Sequence, residues 1–187
     1  EDAFAKRVAQ DAAEVSSKAA DFGTAVHHAI EDWFNGDELT EAVGPKVIYG
    51  EYDVSAQLDA YIKWHDVNIA MVLEVEQPFC NAFNGYGGKR DIKCLDKEGN
   101  ELFIDIKTTK TKPGVKVTGY QEQGMQLAAY SPTPGVRLLN VFLSSTEPGR
   151  LEVVEWTDQR DNLFDGFLKT LDLWKWLKNY DPVAEAV

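Results

Sequence analysis

Gly87-Gly88-Lys89-Arg90-Asp91-Ile92-Lys93 is followed, across Asp96-Lys97-Glu98-Gly99-Asn100, by Phe103-Ile104-Asp105-Ile106-Lys107-Thr108-Thr109. Both runs read as strands, and the turn-forming residues between them predict a hairpin. Alternate residues of a strand project from one face, so Asp105 and Lys107 point together while Ile106 faces a core. A hairpin also brings Asp91 beside them. Two carboxylates and an ammonium gathered at one place are costly to bury unless a cation sits between the carboxylates. The stretch therefore predicts a hard-cation site carried on a β-sheet.

Two further stretches frame this pair of strands. Gly23-Thr24-Ala25-Val26-His27 lies upstream in a helical run, and Gln126-Leu127-Ala128-Ala129-Tyr130 lies downstream in another, with Tyr120 just before it. Taken with Gly88-Lys89-Arg90-Asp91 and Asp105-Ile106-Lys107, these four motifs resemble the PD-(D/E)XK nuclease superfamily and, within it, the RecB-like branch. The resemblance covers about residues 20–145. It implies the αβββαβ core of the restriction-endonuclease-like fold. The relatives it points to are exonucleases of the phage, bacterial or mitochondrial genome-maintenance type.

The roles follow from that resemblance. It implies Mg²⁺ or Mn²⁺ held by the carboxylates of Asp91 and Asp105, the backbone carbonyl of Ile106 and the imidazole of His27. Oxygen ligands suit these hard cations. Lys107 is expected to orient the attacking water, to offset charge on the phosphate or to act as general base. Gln126 and Tyr130, four apart on one helical face, are expected to complete the catalytic set by holding the nucleic-acid backbone or the lysine. Lys89, Arg90, Thr108, Lys110 and Tyr120 are expected to contact substrate. The Gly-x-x-x-His spacing selects His27 as ligand and leaves the adjacent His28 at the surface. Glu76 is expected to be a solvated strand residue. The aromatic residues of the last helix, Phe164, Phe167, Trp174 and Trp176, are expected in the core rather than as a platform for bases. Some relatives carry a four-cysteine iron–sulfur cluster, and with only Cys80 and Cys94 no iron–sulfur cluster is expected here.

Composition bounds these readings. A chain of 187 residues, 44% hydrophobic and 27% charged, suits one domain with a sizeable core. We expect a single nuclease domain over 1–187, its motif-bearing core at about 20–145 and a closing helix at 158–180. No apolar run approaches the roughly 20 residues of a membrane span, and the N-terminus lacks the basic and apolar regions of a signal peptide. The missing initiator Met is expected of a trimmed product. An intracellular location follows as the expectation, whether cytoplasmic, phage-encoded or mitochondrial. Both cysteines are expected to be buried free thiols.

The net charge of −12 runs against a broad nucleic-acid binder. Residues 88–116, however, hold eight Lys/Arg against five acids, a local charge of +3 that leaves −15 elsewhere. Positive charge is thus concentrated around the candidate site, which permits a confined track for nucleic acid and is equally the pattern of a solvated, Lys-rich hairpin edge.

Hydrophobic periodicity predicts helices over 2–20, 24–34, 54–68, 117–130 and 158–180, with Asp21-Phe22-Gly23 interrupting the first two and a loop over 37–50. Strands are predicted over 72–83, at the two site runs, and over 136–144 and 152–156. The sum is an α/β domain, a mixed central sheet flanked by helices. The expected activity is a metal-dependent DNA nuclease, an exonuclease on ends or single strands in replication, recombination or repair. Its expected partners are DNA and the proteins of those processes, with no membrane. Two alternatives stand beside it: a structure-specific or restriction-like endonuclease, and an inactive nucleic-acid- or protein-binding module of the same fold.

Overall fold

Asp96 decides the register of the site hairpin. The structure, a computed structural model, describes residues 2–36, 46–131 and 133–183. In it β4 (Tyr86–Asp96) and β5 (Glu101–Thr109) pair antiparallel, with Ile92 opposite Ile104 and Leu95 opposite Glu101. The Asp96 carboxylate accepts from the backbone N–H groups of Glu98 (3.1 Å) and Asn100 (2.8 Å) and from the Asn100 side chain (3.1 Å). Gly99 supplies the left-handed residue, φ +85°, that this turn needs and that a side chain would resist. A slip of one residue would turn every side chain of a strand to the other face, so this turn fixes which carboxylates meet.

The remaining elements build out from the hairpin. They are α1 (Asp2–Asn35), a small hairpin of β1 (Ile48–Tyr49) and β2 (Tyr52–Asp53), α2 (Ser55–Asn68), β3 (Ile69–Asn81), α3 (Gln121–Tyr130), β6 (Arg137–Ser144), β7 (Leu151–Glu155) and α4 (Arg160–Lys178). A sheet of five strands runs β3-β4-β5-β6-β7. β3 and β4 are antiparallel. Hydrogen bonds join Asp105 to Asn140 and Thr109 to Ser145, so chain direction advances alike along β5 and β6, which are parallel and connected through α3. β6 and β7 return antiparallel, with Trp156 N–H on the Leu138 carbonyl and Ser144 N–H on the Arg150 carbonyl. The predicted mixed sheet flanked by helices is therefore the fold.

Contacts divide the chain into two compact units, with β5 and β6 running from one into the other. The first comprises Glu1–Lys63, Lys107–Val115 and Leu143–Leu151. Val26, Ala29 and Ile30 of α1 and Leu58 and Tyr61 of α2 are buried there, the rings of Trp33 and Phe34 stand edge-on to Tyr61, and Gln57 donates to the Ser144 carbonyl at 2.8 Å. The second comprises Trp64–Ile106, Lys116–Phe142 and Glu152–Val187. There α3 and α4 cover β5 and β6 through Phe103, Leu127, Leu138, Trp156 and Leu163, all buried. Among the described residues no helix is long and apolar enough to cross a membrane.

Several predicted boundaries move. The first two helices are one, because a glycine in a helix costs only about 1 kcal/mol and does not itself stop it. Gly23 is there for space: a Cβ would lie 3.1 Å from the Thr108 hydroxyl. Residues 117–120 are not helical, and α3 starts at Gln121, where Gln123 Oε1 accepts the Tyr120 N–H at 2.8 Å. The predicted loop reduces to the β1–β2 hairpin, with 37–45 outside the described residues. A 3₁₀ turn, Thr157–Gln159, precedes α4. Of the two free thiols only Cys94 is buried, which pushes it up to about 12, whereas Cys80 is exposed on β3. Strand alternation on an edge strand leaves one face in solvent, and Cys80 falls on it. Trp174 and Trp176 likewise lie exposed on α4, outside the core expected of them.

Candidate active site

The paired part of the hairpin ends at Ile92↔Ile104, and the next residue on each strand beyond it is an aspartate, Asp91 on β4 and Asp105 on β5. Both are buried, Asp105 completely, at positions where charged groups are rare without compensation. Asp91 Oδ2 accepts the backbone N–H of Ile106 at 2.8 Å, which ties one strand's carboxylate to the other strand's backbone beside Asp105. Lys107 follows two residues on in the same strand, half-buried at the start of the other unit's share of β5. Strand alternation gives it the face of Asp105.

Asp105 is held from β6. Asn140 donates its amide to Asp105 Oδ2 at 2.6 Å and accepts the indole N–H of Trp156 at 2.7 Å. All three residues are buried, and every group in the chain Trp156–Asn140–Asp105 is a matched donor and acceptor. Trp156 is in turn fixed by close packing, since a Cβ on Gly124 of α3 would lie 2.9 Å from its ring. Neither Asn140 nor Trp156 was among the residues predicted for the site. The signal was present: Asn140 interrupts the apolar run Leu138-Leu139-Asn140-Val141-Phe142, and a polar residue inside a buried strand needs a partner.

Glu76 departs from its expectation. It lies on β3 between Val75, paired with Ile92, and Gln77, paired with Arg90, so it stands beside Asp91. Its side chain is 11% exposed and makes an ion pair with Lys89. Carboxylate oxygens of Glu76 and Asp91 lie within 4.8 Å of each other. Its φ of +50° is in the left-handed region, an unfavourable conformation for a residue with a side chain in a strand. Backbone strain of this kind needs a tertiary cause that sequence propensities do not carry. Within this unit Glu76 and Asp91 thus bring two carboxylates together, oxygen donors of the kind hard cations take, with Asp105 on the adjoining strand.

Tyr130 borders the same carboxylates. Burial raises its phenol, the Gln126 amide works against that rise, and the charges of Asp105, Asp91 and Glu76 add to it. The hydroxyl therefore stays protonated through the neutral range, and Gln126 Nε2 reaches it at 2.5 Å along one face of α3.

The other predicted residues are placed as follows. His27 is half-buried on α1 and His28 exposed, its ring 6.3 Å from that of Tyr49. The Arg90 guanidinium lies 4.4 Å from the centre of the Phe79 ring and reaches Glu74 at 3.4 Å. Thr108 faces Gly23, Lys110 is exposed just past β5, and the Tyr120 ring is exposed before α3. No protein-family model matches the chain, and no curated protein sequence matches it.

Proposed function

We propose that this chain is a metal-dependent DNA nuclease, most directly an exonuclease acting on single strands or ends. The observation that carries the reading is the bond from the Ile106 N–H to the buried Asp91 carboxylate, which ties Asp91 to the strand at the residue between Asp105 and Lys107. Buried carboxylates repel one another unless a cation joins them, and this cluster adds Glu76 to the two aspartates. Asp91, Asp105 and Glu76 would hold the ion, and the resemblance adds the Ile106 carbonyl and His27. A bound divalent cation supplies Lewis acidity, lowering the pKa of water and neutralising charge on phosphate.

The chain's own groups do the rest. Asn140 keeps the Asp105 carboxylate in one orientation. Lys107 orients the attacking water and offsets charge on the phosphate oxygens. The Tyr130 hydroxyl, kept protonated, donates to the substrate backbone with Gln126 setting its direction. Lys107, Lys110, Lys112 and Lys116 line the stretch that carries positive charge in an acidic protein, a supply of phosphate contacts suited to a single strand.

A gel time course on matched covalently closed circular and linear DNA, with Mg²⁺ or Mn²⁺, tests this reading. Shortening of linear or single-stranded DNA with the circle left intact is expected. Rapid nicking of the circle would replace the exonuclease by an endonuclease, and binding without cleavage would leave only a binding module.

A further inference from the structure

An aromatic cavity of about 400 Å³ lies in the same unit as the carboxylate cluster. Its walls are Phe79 of β3, Tyr86 of β4, Tyr130 and Met125 of α3 and Phe167 of α4. The rings pack edge to face, with centroids 5.5 Å apart for Phe79–Tyr130 and 4.8 Å for Tyr86–Phe167. Tyr86 is pinned, donating to the Ala129 carbonyl at 2.9 Å and accepting from Asn81 at 3.0 Å, so its ring is a fixed wall. Gly88 keeps the cavity open, since a Cβ there would lie 3.2 Å from the Phe79 ring.

We propose that this cavity seats one unstacked nucleobase, that of the nucleotide whose phosphate lies at the carboxylate cluster. The proposal rests on the nuclease reading for the position of that phosphate. Gln126 and Tyr130 line the cavity with Phe79 and Gly88, a cross-strand pair that stands three residues along β3 and β4 from Glu76 and Asp91. Cavity and cluster therefore lie about 10 Å apart along one strand pair, a separation that a single nucleotide spans from phosphate to base. The wall chemistry selects a base over an aliphatic group: aromatic rings offer stacking and edge contacts, while Gln126 offers hydrogen bonds at the polar end. The volume is in the range of small-ligand sites, too small for a base pair with its backbone.

Charge limits the occupant further. Glu122, Gln126 and Tyr130 recur every four residues along one face of α3, so Glu122 stands at the end remote from the carboxylate cluster. A carboxylate there repels a second phosphate, which leaves room for a single base. The substrate strand must then be single-stranded or frayed where it is cut, because a stacked base cannot enter.

The test compares a labelled hexathymidylate with the same strand carrying one abasic nucleotide, by fluorescence anisotropy in Ca²⁺ and by hydrolysis in Mn²⁺. Two variants accompany the wild type: Phe167→Ala removes a wall, and Thr170→Trp fills the mouth from an exposed position on α4 without deleting a packed side chain. The wild type should bind the strand with the full set of bases about tenfold more tightly, the scale of one base–aromatic stack. Both variants should bring that affinity down to the abasic level, and thermal melting verifies that they are folded. Equal affinity for the two strands, or a preference that survives Thr170→Trp, overturns the base pocket. Hydrolysis without base preference would remove the pocket and leave the nuclease. Base preference without hydrolysis would remove the nuclease and leave the pocket, and absence of both would remove both.

Discussion

The Asn140 side-chain amide donates to Asp105 Oδ2 at 2.6 Å, from a strand that is 35 residues further along the chain. With Trp156 bonded to its other end, Asn140 has one orientation open to it and transmits that orientation to the carboxylate. Partners of this kind behind a ligand typically change metal affinity or activity by about 10- to 100-fold when removed. Asn140→Ala should lower the rate on single-stranded DNA by that factor and raise the Mn²⁺ concentration needed for half-maximal rate. It should also destabilise by about 1–3 kcal/mol, because two buried partners lose their bond. An unchanged metal dependence in a folded variant would reduce Asn140 to a purely structural residue.

Glu76 separates stability from function. Its φ of +50° costs about 1 kcal/mol or more that glycine would not incur. Glu76→Gly should raise the melting temperature by about 2–4 °C per kcal/mol relieved, yet lower activity by removing a carboxylate from the cluster. Glu76→Gln keeps the backbone cost and should lose activity without gaining stability. Full activity in both variants would return Glu76 to the solvated strand residue first expected.

Ligand and catalyst are distinguished by Asp105→Ala and Lys107→Ala. The first should abolish turnover and Mn²⁺ binding measured by calorimetry. The second should abolish turnover and leave Mn²⁺ binding intact, because an ammonium is no ligand. Near wild-type turnover in Lys107→Ala would contradict its role at the attacking water.

Only one of two consecutive helical residues can face a common ion, since they lie about 100° apart. His27→Ala should therefore reduce activity strongly and change the preference between Mn²⁺ and Mg²⁺, whereas His28→Ala, at an exposed position, should be mild. The reverse pattern would move the assignment by one residue.

Acid should loosen the site hairpin first. Burial works to raise the Asp96 carboxyl, but hydrogen bonds from Asn100 and Arg137 hold it below the usual carboxylate range, and Arg137 likewise lowers Glu155. A carboxyl lowered in the folded state contributes stability above its unfolded pKa, about 4, and loses it as pH falls through the folded value. Urea unfolding should thus show the contribution of these groups in full and independent of pH between about 6 and 8, and a decline below about pH 4. Asp96→Asn should flatten that decline, and an acid limb as steep as in the wild type would assign it elsewhere.

Much of this arrangement was legible in the chain because it is local. The turn at Asp96–Asn100 and the alternation Asp105-Ile106-Lys107 are short-range codes, and the hairpin follows from them with its register. The α3 pair Gln126–Tyr130 is equally local, one helical turn apart. What escaped depends on distant partners. Asn140 reads as an oddity in an apolar strand until β6 is laid beside β5. Glu76 reads as an ordinary strand residue, because a left-handed φ within a strand leaves no mark in composition. The packing of the Arg90 guanidinium on Phe79 is likewise illegible in the sequence, because it requires β3 and β4 to be paired.

If the proposed site holds a divalent cation for phosphodiester hydrolysis, nucleotide release from linear single-stranded DNA must depend on both the metal and Asp105. Release followed during a Mn²⁺ titration, for the wild type and for Asp105→Ala, measures this dependence. It should saturate with Mn²⁺, stop on addition of chelator and be absent from Asp105→Ala at every concentration. Release that persists in excess chelator, or that Asp105→Ala sustains at the wild-type rate, would contradict it.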